Sequence, residues 1–544
     1  MLSSIDRRLL LKLGSFGLGA LSMSGGAMAF NSLTHARGFT HGIASGEPGS
    51  TSVLLWTRYI PDHSDIGRLE VEISEYPDFR RIVSGGAART GAFRDWTVKI
   101  TVDNLRPKTR YYYRFIAADG TRSQVGQTRT LPDGAVDQYR IAIFSCANMP
   151  YGYFNAYGHA AERDDIDLTI HLGDYYYEYG PGTYPALKDA VPGRPLPDAE
   201  AFHLADYRIR HASYRADPDL QRLHQRHAMV ALWDDHEIAN NSWEGGSSGH
   251  SADKGDFVLR KAAAVQAYRE WMPVSDTPWE YYDIGNLARF HRTETRILAR
   301  SKAPSVSALH KEADPLTALK RFRDGPWLDP AATMMGSQQE NWLANQLKES
   351  TSRQQHWQIV GSGTVLSSNV MPPEAVEWVA GSGSAGNRRF VEMAALATSL
   401  GLPVNFDSWG GYPAARSRFL TSAQEADANL IFIAGDTHNG WAYDLVEDGQ
   451  KAGVEFATHS VTSPGIEEAA PGYDARRISN SFVEASPNLR WCDVSQRGYM
   501  TLDMTPERAV SEWLFLDTVA RRSFALAGTH RLAVRKDQRS IEAV

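Results

Sequence analysis

Four short apolar runs, far apart in the chain, each stop at residues able to hold a metal ion, and no other feature restricts the fold as tightly. Tyr139 to Ser145 runs into Cys146; Ile166 to Leu172 stops at Gly173 and delivers Asp174, with Tyr177 three residues further on. Ala231 to Trp233 leads to Asp234, Asp235, His236 and Glu237, and Ile431 to Ala434 leads to Gly435, Asp436, Thr437 and His438. Short aliphatic runs bounded by glycine read as buried strands. In open α/β sheets, ligands sit in the loops beyond the carboxyl ends of such strands. One Asp after one strand is as readily a turn residue. Four such ends in a single strand-and-loop plan predict an α/β domain that gathers these side chains at one edge. Taken alone, Cys146 reads as a buried strand-end thiol, and on count it has one available disulfide partner, Cys492.

The signals change at the linker from Leu131 to Asp137. Before it, over residues 38–132, Val53–Arg58, Leu69–Ile73, Val98–Val102 and Tyr111–Ile116 are short strands separated by Pro, Gly and Asp. That spacing predicts an immunoglobulin-like β-sandwich. Past it, over residues 137–525, helical stretches such as Phe154–Arg163 alternate with short apolar strands, as in a two-layer or four-layer α/β sandwich. Residues 526–544 read as a C-terminal tail, and Gly245–Gly249 and Gly381–Gly386 as flexible loops. With 42% hydrophobic and 22% charged residues in 544, the chain has apolar mass for more than one core and no disordered or fibrous composition. A formal net charge of −7 offers no broad basic face, so specific nucleic-acid binding is not expected.

Residues 1–29 read as an address. Arg7 and Arg8 precede an apolar, glycine-containing run that closes with Ala27-Met28-Ala29, which resembles a twin-arginine export signal cleaved after Ala29. Asp6 stands where such signals more often carry Ser or Thr, which keeps an ordinary secretory signal as the alternative. The expected location is therefore periplasmic or secreted, with the twin-arginine export machinery as a partner. No stretch is long and apolar enough to favour a retained membrane span, and a monomer is expected.

Longer motifs go further. FTHGIASGEPGSTSVLLWTR from Phe39 and LRPKTRYYYRF from Leu105 resemble the amino-terminal domain of PhoD-type alkaline phosphatases. FSCANMPYGYF from Phe144, HLGDYYYEYG from His171, LADYRIRHASYRADPDL from Leu204 and LWDDHEIANN from Leu232 follow the order of the same family. So do MMGSQQENWL from Met334, DSWGGYPAAR from Asp407, AGDTHN from Ala434 and ATHSVTSPG from Ala457. On these motifs the chain is identified as a member of the PhoD-like, calcineurin-type metallophosphoesterases. The resemblance implies a layered metallophosphoesterase sandwich behind the N-terminal β-sandwich. It also implies an exported hydrolase of phosphate monoesters or diesters that uses Fe3+ and Ca2+ and serves phosphate acquisition.

Residue by residue, the resemblance implies Cys146, Asp174, Tyr177 and His438 around iron, with Asp174 bridging both ions. Asp235 and Asp436, with Asn240 as an amide oxygen, fall on the calcium side. The ligand chemistry agrees with that division. A phenol titrates near about 10 and a thiol near about 8.5, so their use as anions calls for a strongly polarising ion, whereas calcium prefers oxygen. The implied reaction is attack of a metal-activated hydroxide on phosphorus, with His236 donating a proton or hydrogen bond to the phosphoryl group. Arg296 is implied either to stabilise phosphate charge or to fix the site from behind.

Three departures from the family pattern bear on substrate preference: Glu294 stands for a usual Asp, Gly410 for an acid, and Gly361-Ser-Gly-Thr-Val for a more amide-rich segment. A dedicated phosphodiesterase for lipid headgroups or cell-wall polymers is the near alternative, and a non-catalytic surface binding protein the distant one. The blander readings are that Tyr175, Tyr176 and Tyr179 pack or line the cleft, that His224 and His227 are surface or packing residues, and that His171 is a hydrogen-bonded core histidine.

Overall fold

The structure, a computed structural model, describes residues 36–306, 309, 312–380 and 385–544. The expected export signal lies outside the described residues, as do residues 381–384 of the second glycine-rich loop; Ala385 already opens a helix, Ala385–Ser399.

Among the described residues, seven strands precede the linker: β1 (Ile43–Gly46), β2 (Val53–Arg58), β3 (Ile66–Ser74), β4 (Ile82–Gly91), β5 (Thr97–Val102), β6 (Arg110–Ala117) and β7 (Gly126–Arg129). Residues in β3 alternate exposed and buried, as in a strand with one wet face. Leu69, Val71, Tyr113 and Phe115 of the sheet β4-β3-β6-β7 pack on Ile43, Val53, Leu55 and Val98 of β1, β2 and β5. A two-sheet sandwich results, as expected.

Among the described residues, sixteen strands follow: β8 (Tyr139–Phe144), β9 (Leu168–His171), β10 (Met229–Ala231), β11 (Ser242–Trp243), β12 (Gly246–Ser247), β13 (Glu280–Ile284), β14 (Ala288–Arg292), β15 (Trp357–Ser362), β16 (Leu430–Ala434), β17 (Gly440–Glu447), β18 (Gln450–Ala457), β19 (Leu489–Asp493), β20 (Gly498–Met504), β21 (Arg508–Leu516), β22 (Leu526–Arg535) and β23 (Ile541–Ala543). They form a ten-stranded sheet, ordered β23-β22-β21-β20-β8-β9-β10-β1-β2-β5, and a seven-stranded sheet, ordered β13-β14-β15-β16-β18-β17-β19. Ile141, Ile170, Val230 and Leu502 of the first sheet meet Phe290, Ile359, Ile431 and Phe456 of the second in one apolar layer. Each such side chain stabilises the fold by about 1.5–3 kcal/mol. Helices α1 (Asn155–Ala161), α2 (Leu204–Arg215), α3 (Pro218–Arg226) and α4 (Phe257–Trp271) cover the outer face of the ten-stranded sheet. Gly336–Ser352, Pro413–Glu425 and Ala475–Ala485 cover that of the other. Four layers therefore stack as helix, sheet, sheet, helix.

Several boundaries differ from the sequence-based expectation. The sandwich is not a detached module, because β1 pairs in parallel with β10 and so carries β2 and β5 into the catalytic sheet. Residues 526–544 are not a tail: β22 runs antiparallel to β21 over most of its length, and β23 closes that edge. Gly245–Gly249 spans the turn and second strand of the β11–β12 hairpin. Cys146 and Cys492 are both buried and free, so the pairing available on count does not form. No helix among the described residues is long and apolar enough to cross a membrane.

Register sets up the site. Phe144 lies opposite His171 and His171 opposite Ala231, so β8, β9 and β10 end together. Ser362, Ala434 and Ala457 likewise align the ends of β15, β16 and β18. The loops beyond these six parallel ends meet.

Candidate metal centre

Cys146, Asp174, Tyr177 and His438 converge from three of those loops and form one side of the centre. Cys146 Sγ lies 3.4 Å from Asp174 Oδ2, and the Tyr177 hydroxyl donates to the same oxygen at 3.1 Å. The Tyr177 hydroxyl is also 3.1 Å from His438 Nε2 and accepts from Ser463 Oγ at 2.8 Å. His438 Nδ1 lies 2.7 Å from the Pro464 carbonyl, a partner that can only accept. The proton therefore sits on Nδ1, and the Nε2 lone pair faces Tyr177 and the centre.

Backbone strain holds this arrangement. Cys146, Asp174, Asp436 and His438 have φ of 58°, 52°, 66° and 61°, a left-handed conformation that costs a non-glycine residue about 1–3 kcal/mol. The carboxylate of Glu237 offsets part of that cost: it accepts the backbone N–H groups of Asp174 (3.1 Å), Tyr175 (2.6 Å) and Asp234 (2.8 Å), tying the β9 loop to the β10 loop. Gly173, at φ 100°, permits this approach, since a Cβ there would stand 2.5 Å from the Asp234 Cβ.

The other side is carboxylate-rich. Asp234 accepts Arg296 Nε at 2.6 Å and Nη2 at 2.8 Å. Arg296 Nη1 pairs with Asp407, which also accepts Arg300 Nη2 at 2.7 Å. Asp235 accepts the Asn241 backbone N–H at 2.6 Å, and Asp436 accepts Thr364 Oγ1 at 3.1 Å. Arg296 is itself fully buried, with Asp235 at 3.7 Å and Asp436 at 3.8 Å. Between the two sides, His236 Nδ1 is 2.7 Å from Glu178 Oε2, and the ring lies against Tyr177 with centroids 4.2 Å apart.

These contacts shift the titrations in opposite directions. Burial, reinforced by the Asp174 charge, pushes the Cys146 thiol and the Tyr177 phenol well above their usual ranges. Burial and the neighbouring Asp235 and Asp234 push Asp174 up, and Asp436 rises to about 8 for burial and the Asp234 charge. His438 falls to about 3 because burial disfavours its cation. His236 rises well above the usual imidazole value: burial opposes this, but Asp235, Glu178 and Asp174 outweigh it.

The residues fit a metal centre. Asp174 Oδ1 and Asp235 Oδ1 are buried without a hydrogen-bond partner among the described residues. Three ligand sets bring their donor atoms within 4.8 Å of one another: Cys146, Asp174 and His438; Asp174, Asp235 and His236; Asp234, Asp235 and Asp436. Buried carboxylates this close repel one another unless cations neutralise them, and Arg296 reaches only one side.

All of the expected ligand residues except Asn240 are brought together. Asn240 is half-buried; its side-chain amide donates to Ser248 Oγ at 3.2 Å and its backbone N–H to Glu178 Oε1 at 2.8 Å. Through that backbone N–H it holds Glu178. Tyr175 and Tyr176 pack in the core behind the site, and Tyr179 stacks edge-on against His236. His171 bonds Tyr157, while His224 is buried and bonds Tyr175, both at 2.8 Å. Sequence reasoning gave no role to Glu178, Glu237, Asp407 or Arg300. The first three lie inside the quoted motifs and carry the acidic signal that could have found them; Arg300 stands four residues after Arg296 and has no such signal.

Comparison with known proteins agrees with this geometry. The family model described as PhoD-like phosphatase matches residues 141–513, and that of the PhoD-like phosphatase N-terminal domain matches residues 25–132. The chain belongs to the PhoD-like phosphatase family, and so is a hydrolase of phosphoric ester bonds. More particularly, it is similar to alkaline phosphatase D of Bacillus subtilis (strain 168), with 32% identity over 100% of this chain and 90% of that protein. A solved structure described as that of PhoD superposes with TM-score 0.77 and 30% identity, covering 94% of this chain and 92% of its own.

Proposed function

We propose that the chain is an exported phosphoesterase of monoesters and diesters whose centre holds ferric iron and calcium, and that it releases phosphate for uptake. The observation that carries this reading is the convergence of a thiol, a phenol and an imidazole on Asp174, beside a second group made only of carboxylates. Cys146, Asp174, Tyr177 and His438 would hold the iron; Asp174 would bridge; Asp235 and Asp436 would hold calcium. Bound ions supply an acidified water and neutralise charge on the phosphoryl oxygens. His236, fixed through Nδ1 by Glu178, would in its protonated form present Nε2 as a donor to the phosphoryl group. Arg296 is buried and spent on Asp234 and Asp407, which supports a positioning role rather than contact with phosphate. Export rests on residues 1–29.

A preference for diesters with a bulky alcohol, such as lipids, is favoured by one feature. A cleft of about 900 Å³ opens beside Asp407 and Asn241, with Phe390, Met393 and Val404 among its apolar walls and Lys302 and Arg389 at its lining. Metal analysis of the purified protein, with turnover of p-nitrophenyl phosphate against bis-p-nitrophenyl phosphate, tests both readings. Iron with calcium and loss of both activities in Asp174→Asn are expected. Full activity in that variant would overturn the centre, and a rate on the monoester alone would overturn the diester preference.

A further inference from the structure

A separate group of buried polar atoms lies where the N-terminal sandwich meets α2 and α3. Arg215, the last residue of α2, is fully buried, and its guanidinium pairs with no carboxylate among the described residues, the Tyr175 hydroxyl being its neutral hydrogen-bond partner. Its guanidinium sits over the Trp56 ring of β2, 4.2 Å from the centroid. A neighbouring oxygen is the Tyr175 hydroxyl, a neutral group already bonded to His224 Nε2. Asp217, two residues on, is committed elsewhere: it caps α3 through Asp219 N at 2.9 Å and pairs with Arg194 Nη1 at 2.9 Å.

Further buried polar atoms lie near the guanidinium, and each neutral imidazole among them offers a single N–H donor. His41 Nε2, both ring nitrogens of His211 and Nδ1 of His224 are buried without partners among the described residues, and the Tyr113 and Ser45 hydroxyls face each other nearby. These five residues, like Arg215, are fully buried. The three imidazoles are neutral there: burial first, then the charge of Arg215, holds His211 down to about 3 and keeps His224 well below the usual value, while burial, then Arg58 and Arg215, lowers His41 likewise. Arginine does not give up its proton, so the pocket carries one uncompensated positive charge. Folding does not leave such a charge unpaired without a large loss of stability.

We propose that this junction binds one small monovalent anion of the halide class, held by Arg215 with N–H and O–H donors from the surrounding His, Ser and Tyr side chains. Charge fixes the valence, since one unit of negative charge balances one guanidinium among neutral neighbours. Enclosure fixes the class: a guest sealed from solvent loses its hydration shell, which a halide gives up far more readily than a doubly charged phosphate. The anion would pin β1 and β2 of the sandwich to α2, and through Tyr175 it would support the loop that begins at Asp174.

Diffraction from crystals of the full-length protein equilibrated with sodium bromide, collected at the bromine edge, tests this directly. An anomalous peak within hydrogen-bonding distance of Arg215 is expected; water alone at that position, with bromide only at surface sites, would overturn the proposal. Thermal unfolding in sodium chloride and in sodium gluconate at equal ionic strength gives a second reading. Chloride should raise the midpoint saturably for the wild type and not for Arg215→Met, and equal midpoints for the wild type in the two salts would count against the site. Where Arg215→Met does not fold, the bromide map decides.

Discussion

On one side of Asp174 stand a thiol, a phenol and an imidazole with no protein cation among them; on the other stand Asp234, Asp235 and Asp436, crossed by the guanidinium of Arg296. Both sides are buried, and both hang from strained strand ends. The difference is how charge is balanced. Burial keeps Cys146 and Tyr177 protonated, so the first side becomes anionic only when a cation enters. The second side holds part of its own countercharge in Arg296, although Asp436, raised to about 8, also gains its full charge only when a cation enters. A strongly polarising ion suits the first and a hard, oxygen-seeking ion the second.

Substitutions can separate the two. Asp174→Asn, which touches both sides, should remove activity to background together with both metals, measured by turnover and elemental analysis. His236→Gln should slow turnover by about 10²- to 10⁴-fold while metal content stays intact, because the imidazole acts on the phosphoryl group. Arg296→Met should destabilise the protein by about 3–5 kcal/mol in denaturant unfolding, since it strands Asp234 without a partner and leaves Asp407 to Arg300 alone. Equal stability would mean that an ion, not the guanidinium, neutralises those acids. Glu178→Gln should cost about 10- to 100-fold in activity by freeing the His236 ring. The smallest effect is expected from Asn240→Ala, a few-fold at most, because that side chain is turned to Ser248; a loss as large as that of Asp174→Asn would restore it as a ligand.

Much of the centre was legible because short apolar runs are strong local signals: Cys146 follows one directly, Asp174 and Asp436 follow the glycine that ends theirs, and His438 stands two residues after Asp436. What lay beyond reach depends on contacts between distant loops. The pairing of His236 with Glu178 joins residues 58 apart, and that of Arg296 with Asp407 residues 111 apart. The contact of the Asn240 amide with Ser248 was equally hidden, because spacing along a loop does not tell which way an amide turns. β22 escaped notice because its first residues are exposed and lack alternation, the character of a strand near a sheet edge. The fusion of the sandwich with the catalytic sheet rests on a single register pair, Gly46 with Met229, which no local pattern marks.

The most direct test of the proposed iron side is the visible absorption spectrum of purified, metal-replete protein beside that of Tyr177→Phe. Ligation of ferric iron by Tyr177 and Cys146 predicts a charge-transfer band in the wild type that shifts or fades when the phenol is removed. A colourless wild-type protein, fully active with zinc as its only metal, would contradict it.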